Sequence, residues 1–152
     1  MIKDESWEHE IHPEEMIVDG KKLRLIDFKR EVQNLKYGDE TKKIMIITAF
    51  ERQVIDEVDE KYAQGKPIIL IYHLKSDRDN KPEMVYCKFL NNITYENSNF
   101  IHPNVFIQNG IYIYFIHFQN CKNNGGTIQA KLIKFDLIKG EELFPPIKEF
   151  EI

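Results

Sequence analysis

The sequence predicts a β-rich α+β domain, in which an antiparallel sheet, sandwich or barrel is flanked by one helix at about residues 49–64. Three observations lead to this fold class. Short runs rich in β-branched and aromatic residues recur along the chain. Dipeptides typical of tight turns separate several of these runs. Only one segment carries helix start and stop signals. The length of 152 residues and the hydrophobic content of 42% fit a single domain, 1–152.

Turn-forming dipeptides indicate the hairpins. Asp19-Gly20 separates Met16–Val18 from Lys21–Ile26, and Asn109-Gly110 precedes the apolar run Ile111–Phe118. Both dipeptides readily adopt the positive φ angles that two-residue hairpin turns require. We therefore expect a β-hairpin at each of them.

Two further turns are expected in the second half of the chain. Asn91-Asn92 is predicted to join Val85–Leu90 to Ile93–Tyr95, and Asn123–Gly126 is predicted to form a looser turn before Thr127–Ile138. In that last run the two faces exchange polarity midway. Because one extra residue moves every later side chain to the opposite face, a bulge near Ile133–Lys134 is expected there.

The predicted helix lies at about 49–64. Thr48 and Glu51 form a Ser/Thr-x-x-Glu capping box, in which each side chain satisfies an unpaired backbone N–H of the first turn. Gly65 stands where a C-terminal cap belongs, and Pro67 prevents continuation. An apolar stripe with a spacing of four residues gives the helix a core-facing side: Phe50, Val54, Val58 and Tyr62.

The runs on either side of this segment read as strands. Lys43–Ile47 and Pro67–Leu74 have the length and the β-branched content of buried strands. The run 111–118 is apolar on both faces, so we expect it to be central or sandwiched between layers. Residues 27–38 remain ambiguous, because a strand through about Phe28 and a helical stripe ending at Gly38 both fit.

Charge is distributed unevenly along the chain. The net charge of −4 divides into −6 over residues 1–20, −3 over residues 141–152 and +5 over the body between them. We therefore distinguish an acidic N-terminal arm, 1–14, and an acidic, proline-containing C-terminal tail, 141–152. Because charged ends can dock on a basic neighbour, including another copy of the chain, the arm and its border give the candidate interaction residues. These are Asp4, Glu5, Trp7, Glu8, Glu10, Glu14 and Glu15.

Features that would direct the chain out of the cytoplasm are missing from the sequence. The polar, acidic start does not resemble a signal peptide, and the longest apolar run, 111–116, is far shorter than a membrane helix requires. Cys87 and Cys121 form no CxxC pair, so we expect them to be reduced and buried. The predicted location is the cytoplasm, or a virion if the protein is a phage component.

The sequence contains no convincing catalytic or cofactor motif. His9 and His12, which lie among glutamates of the arm, could bind a divalent metal, but Pro13 breaks their helical spacing and a solvated arm is favoured. The segment 76–81 has part of a calcium-loop pattern, yet the required Gly and Glu are missing. His73, His102 and His117 are scattered and lack a partner nucleophile motif. We predict no enzyme activity, no catalytic or metal-binding residue and no cofactor.

A nucleic-acid platform is the one binding surface that the body of the chain suggests. Tyr112, Tyr114 and Phe115, with Lys131 and Lys134 on a neighbouring strand, could stack bases and neutralise phosphates. The alternative is that these aromatic residues belong to the core. A negative chain without a Lys/Arg cluster is repelled by phosphates, so nucleic acid is not the expected partner.

The order of elements over residues 18–100 resembles that of the tail-tube family of phage tails, which extends to Hcp-like ring proteins. The shared order is a hairpin at Asp19-Gly20, a strand ending at Ile26–Phe28, a strand leading into the helix, the helix end at Gly65–Pro67, and two strands separated by a polar loop. The chain departs from this order after residue 100. The resemblance implies a ring-forming assembly protein without an active site, or a related tail, baseplate or connector component.

Taken together, these features predict a non-enzymatic structural or assembly protein that acts through protein–protein surfaces, with protein partners that include copies of itself. The alternative is a small acidic inhibitor, or an immunity or anti-defence protein, that binds one partner stoichiometrically through its acidic arm.

Overall fold

A computed structural model describes residues 16–18, 20–59, 61–74, 82–92, 106–120 and 128–151. Within these ranges the chain is built of strands, without a helix, and so without any helix that could span a membrane. The strands are β1 (Met16–Val18), β2 (Lys21–Leu23), β3 (Leu25–Tyr37), β4 (Glu40–Asp56), β5 (Lys61–Leu74), β6 (Glu83–Phe89), β7 (Asn91–Asn92), β8 (Ile107–Asn109), β9 (Tyr112–Asn120), β10 (Ile128–Asp136), β11 (Glu141–Glu142) and β12 (Lys148–Glu151).

Two sheets and a small hairpin make up the architecture. The first sheet has the order β3-β4-β5-β6, and the second is built on the β9–β10 hairpin. Strands β11 and β12 pair with the other edge of β10, while β7 and β8 pair with the other edge of β9. Among the described strands, all pairings are antiparallel except the two-residue β7–β9 contact. The prediction of a β-rich antiparallel fold is confirmed; the predicted flanking helix is not found.

Strands β4 and β5 are buried on both faces. Their continuous apolar runs place alternate side chains on opposite sides of the sheet, as strand geometry requires. One face packs against the second sheet through Ile44, Ile46, Ile69 and Ile71. The other face forms a separate core with Met16 and Leu23 of the β1–β2 hairpin, through Met45, Ile47, Ile68 and Leu70. The strands predicted at Lys43–Ile47 and Pro67–Leu74 are thus confirmed as the centre of the fold.

The predicted helix at 49–64 is wrong, because this segment forms the outer half of the β4–β5 hairpin. Val54 pairs with Tyr62 across the ladder, and Val58 lies exposed in the turn between the strands. A spacing of four residues fits a strand face as well as a helix face, since four is an even number. The ladder that begins in the buried runs therefore extends past the local capping signals, which are worth only about 1 kcal/mol each.

The predicted helix stop is a bulge. The register passes from Phe50–Pro67 to Arg52–Gln64, so Gly65 and Lys66 together oppose Glu51. Two residues opposite one is the arrangement of a β-bulge. Pro67 has no N–H to donate. Its carbonyl accepts a hydrogen bond from the Leu90 amide at 2.8 Å.

Residues 27–38, which the sequence left ambiguous, belong to strand β3 and its turn. Gly38 has a φ of +63° and stands with Asp39 between the paired residues Tyr37 and Glu40. Near the start of β3 the register shifts between Ile26 and Lys29, and Asp27 adopts a φ of +56° in this bulge. A short polar side chain tolerates that left-handed conformation better than a β-branched one does.

Of the three predicted hairpin turns in the described residues, one is found as predicted, one is shifted by a residue and one is not a turn. The β1–β2 hairpin is present as expected: Val18 pairs with Lys21, and Gly20, in the turn between them, has a φ of +76°. The β8–β9 hairpin is also present, but Gly110 and Ile111 lie between its paired ends, one residue later than predicted. Asn91-Asn92 is no turn: it forms β7, which runs parallel to β9.

Leu90, a bend between β6 and β7, links the two sheets at this point. Its amide donates to Pro67 of the first sheet, and its carbonyl accepts from the Phe118 amide of the second sheet at 2.9 Å. One buried residue thus bonds to both sheets, and the chain passes from β6 of the first sheet to β7 of the second without a hairpin turn.

The predicted bulge near Ile133–Lys134 is wrong. Strands β9 and β10 pair without a register shift from Ile128–Asn120 to Asp136–Tyr112. The polarity exchange arises because only the second half of β10 faces the central core, where Ile133 and Phe135 are buried. The turn predicted at Asn123–Gly126 lies outside the described residues.

Polar contacts fix the two sheets relative to each other. The side-chain amides of Gln33 and Gln108 exchange hydrogen bonds. Lys42 Nζ donates to the Ile138 carbonyl at 2.9 Å, and His73 Nε2 donates to the Leu137 carbonyl at 2.7 Å. Each of these pairs joins a strand of the first sheet to the second sheet or its turns. They orient the layers, because hydrophobic contact alone has no direction.

Gly140 should be the least replaceable of the turn glycines. It has a φ of +71°, and an added Cβ would lie 3.0 Å from the Val85 Cβ of the first sheet. We expect Gly140→Ala to lower the free energy of unfolding by about 3 kcal/mol, because backbone strain and a steric clash add. The matched control Gly38→Ala also has a positive φ but meets no atom within 4 Å. It should cost about 1–2 kcal/mol. If both variants lose the same free energy of unfolding in urea titrations, the close approach of Gly140 to Val85 is contradicted.

Replacing Asp56 and replacing Asp136 should lower the stability of the protein by different amounts. Asp56 and Asp136 each accept hydrogen bonds from two backbone amides of the turn that follows, but only Asp136 is buried, at 4% exposure. We expect Asp136→Ala to destabilise the protein by about 2–3 kcal/mol and Asp56→Ala by about 1 kcal/mol, since buried amides cannot turn to water. Asp136→Asn, which keeps one acceptor oxygen, should lie between them in thermal unfolding. The account fails if Asp56→Ala proves the more damaging.

Candidate interaction face

The outer side of the second sheet carries an apolar and cationic surface. Side chains of β8, β9, β10 and β12 that point away from the core align in two rows across the strands. One row is Ile107, Tyr114 and Lys134, and the next is Ile116, Leu132 and Lys148. Tyr112 lies in the next row beyond the first, opposite Asp136, and Phe150 lies in the next row beyond the second, opposite Ala130. These eight residues are called the tyrosine–lysine face below.

Large apolar groups on this face are open to solvent. Ile107 is 69% exposed and Ile116 is 41% exposed, and Phe150 is also exposed. The outer face of a two-layer sheet is usually polar, because apolar area in water costs about 25 cal/mol per Å². The run 111–118 is central in its sheet, as one of the two expected alternatives had it, because β9 lies between β10 and the strands β7 and β8. It is not covered on both faces: Ile113 and Phe115 are buried in the core, while Ile116 points outward.

The lysines of the face lie against its aromatic rings. Lys134 Nζ is 4.1 Å from the centroid of the Tyr112 ring and 5.8 Å from that of Tyr114. Lys148 Nζ is 5.8 Å from the Phe150 centroid. A cation over a ring face is attracted by about 0.5–1 kcal/mol at an exposed site. The ammonium groups are thereby held at the surface beside apolar area, where they can meet a carboxylate or phosphate.

Part of the predicted nucleic-acid platform is brought together here. Tyr112, Tyr114 and Lys134 share the face. Phe115 is instead buried between the sheets, and Lys131 points to the opposite side of β10, where its Nζ lies 4.0 Å from a Glu149 carboxylate oxygen. Three of the five predicted residues remain, which is too few for a groove that follows a nucleic-acid backbone.

The candidate residues of the acidic arm lie outside the described residues: Asp4, Glu5, Trp7, Glu8, Glu10, Glu14 and Glu15. The same holds for His9, His12, His102, Cys121 and the segment 76–81. Of the remaining candidates, His73 is a half-buried sheet residue that bonds a carbonyl, and Cys87 is a partly buried thiol of β6. No group of three or more metal-ligating side chains occurs in the described part of the chain.

A polar cluster borders the inner side of the second sheet. His117 is buried there, and Lys88 is held by both carboxylate oxygens of Glu142 at 3.2 Å. Burial, together with the positive charges of Lys88 and Lys131, lowers the pKa of His117 from 6.5 to about 4. Burial likewise raises the pKa of the Tyr86 phenol, and the Glu142 charge adds to that effect. The imidazole is therefore neutral at physiological pH and works as a packed core group.

The sequence signalled this face only in part. The alternation along 111–118 gives two apolar faces, and two apolar faces predict a strand that is buried on both sides. The rows that cross β8, β9, β10 and β12 depend on pairings between segments far apart in the chain. Only the register, which no local pattern encodes, could show that Ile107, Lys134 and Lys148 lie on the same side.

No protein-family model matches the chain, and neither a curated protein nor a solved structure matches it. The relation to phage tail-tube proteins therefore stays a prediction, and the helix on which part of that element order rested is a β-hairpin.

His117 should make the stability depend on pH. Its folded-state pKa lies below that of the unfolded chain, so the unfolded state binds the proton more readily, and stability falls as pH drops from about 6.5 toward 4. Between about pH 7.5 and about pH 5 the loss should be about 2 kcal/mol. In His117→Gln this part of the pH dependence should disappear in urea titrations. An unchanged slope would show that His117 is not the buried titrating group.

Proposed function

We propose that this protein is non-enzymatic and works by binding other proteins through its tyrosine–lysine face. The observation that carries the proposal is the exposed apolar area of Ile107, Ile116 and Phe150 on one rigid sheet. Contiguous apolar patches that include aromatic side chains are characteristic of binding surfaces. Tyrosine supplies contact area at a low cost in conformational entropy, and the sheet needs no rearrangement to present it.

The proposal has two forms. In the first, the chain is a structural or assembly component, of which a phage tail, baseplate or connector part is the specific version, and its partners are virion proteins or copies of itself. In the second, it is a small acidic inhibitor, immunity or anti-defence protein. The net charge of −6 over residues 1–20 supports the second form, because an acidic segment can block a basic site.

Affinity capture from the native host tests the proposal and separates its two forms. The tagged wild type should retain at least one protein that the variant Ile107→Ser/Ile116→Ser loses by about tenfold or more, since truncating apolar interface residues typically costs 1–2 kcal/mol. Virion proteins or copies of the chain would support the first form, and a nuclease or defence effector the second.

Matched residues on strand β3 give the control. Val32 is 40% exposed, close to the value for Ile116, and Tyr37 is also exposed. The variant Val32→Ser/Tyr37→Ser should retain the same proteins as the wild type. If the face variant and the wild type capture the same proteins in equal amounts, binding through this face is excluded. Stabilisation of the chain by a nucleotide or metal in a thermal-shift screen would instead favour an enzyme or a cofactor-binding protein.

A further inference from the structure

The C-terminal segment presents an exposed aromatic side chain on a fixed loop. Residues Leu143–Ile147, here the Phe144 loop, leave the edge of the second sheet between β11 and β12. Phe144 is 92% exposed, and Ile147 is exposed as well. An aromatic ring held in water at the tip of a surface loop costs solvation free energy that the fold does not recover. Its position points to an intermolecular contact.

Both ends of the Phe144 loop are anchored. The Leu143 amide donates to the Lys134 carbonyl at 2.8 Å, and the Ile147 amide donates to the Leu132 carbonyl at 3.0 Å. Strand β11 pairs with Phe135 and Asp136 before the loop. Pro145 and Pro146 have restricted backbone angles. The loop therefore loses little conformational entropy when it binds, which favours affinity.

Charge around the loop is complementary to the tyrosine–lysine face. The segments next to the loop carry four exposed glutamates and one lysine, Lys148, which belongs to the face: the glutamates are Glu141, Glu142, Glu149 and Glu151. Glu142 and Glu149 lie near lysines of their own chain but stay partly exposed. The face presents Lys134 and Lys148 beside apolar side chains. An aromatic anchor with an acidic surround fits an apolar surface with a cationic surround.

The loop of one copy cannot cover the face of the same copy. It is pinned at both ends to the edge of β10, and Phe144 remains almost fully exposed in the monomer. Two faces packed directly on each other would bring like-charged lysines together, which is unfavourable. A loop bound to the face of a neighbouring copy would bury the apolar area of both surfaces without bringing the lysines together.

We propose that the chain assembles head to tail, with the Phe144 loop of one copy docked on the tyrosine–lysine face of the next. Every copy carries one loop and one face, so the same contact repeats. Such a heterologous contact builds a ring where its rotation closes and a filament where it does not. This inference rests on the proposed function of the face and names its partner as a second copy.

Sedimentation velocity of the full chain over its whole soluble concentration range tests the proposal. The wild type should form species larger than a dimer as concentration rises. Phe144→Ser should raise the dissociation constant by about thirtyfold, the effect of a buried aromatic anchor. Ile107→Ser/Ile116→Ser should weaken assembly from the other side of the contact. Tyr37→Ser, at an exposed turn of the first sheet, should assemble like the wild type.

Mixing the two defective variants gives the sharpest result. Phe144→Ser keeps an intact face and the face variant keeps an intact loop, so a mixture should form heterodimers and nothing larger. A wild type that stays monomeric at every concentration overturns self-assembly, while the capture experiment decides the proposed function independently. Assembly that persists in Phe144→Ser overturns the loop contact. If the wild type stays monomeric and binds a different protein through Phe144, the proposal that a second copy is the partner is wrong.

Discussion

The burial of strands β4 and β5 on both faces is the constraint on which the rest of the structure depends. Ile44, Ile46, Ile69 and Ile71 hold the second sheet, while the residues between them hold the β1–β2 hairpin. Fully burying one such side chain is worth roughly 1.5–3 kcal/mol. A single hairpin thus serves two cores at once, so a change of register in it would move every side chain into the wrong core. This explains why the ladder continues past the helix signals at Thr48 and Gly65.

The second sheet depends on this centre, and the described residues cover it on one side only. Its inner face meets the isoleucines of the first sheet, and polar contacts such as His73 with Leu137 fix its orientation. Its outer face is consequently free to carry function. A protein whose outer face served only solubility would place charged and polar side chains there. Ile107 and Ile116 lie there instead, and the exposed Phe144 loop leaves the edge of the same sheet.

Local sequence patterns predicted correctly those elements whose pattern fits only one kind of secondary structure. The runs Lys43–Ile47 and Pro67–Leu74 are apolar without interruption, and Asp19-Gly20 is a strong turn former; these elements were found where expected. The stripe from Phe50 to Tyr62 had two readings, since a spacing of four suits a helix and a strand face, and the long-range ladder decided between them. Asn91-Asn92 failed for a related reason, because the sheet-to-sheet passage at Leu90 is a tertiary feature. The interaction face escaped prediction because its rows join strands distant in sequence, and the acidic arm lies outside the described residues.

Native-state amide hydrogen exchange tests the double burial of the central hairpin most directly. The account predicts that the amides of Ile44–Ala49 in β4 and Ile68–Tyr72 in β5 exchange only by global unfolding, with the highest protection in the chain, and that protection falls toward the turn at Glu57. Protection that peaks in β9 and β10 while these amides exchange through a lower-energy opening would contradict it. So would a continuous block of protection across 49–64 that includes the turn residues, since that pattern belongs to a helix.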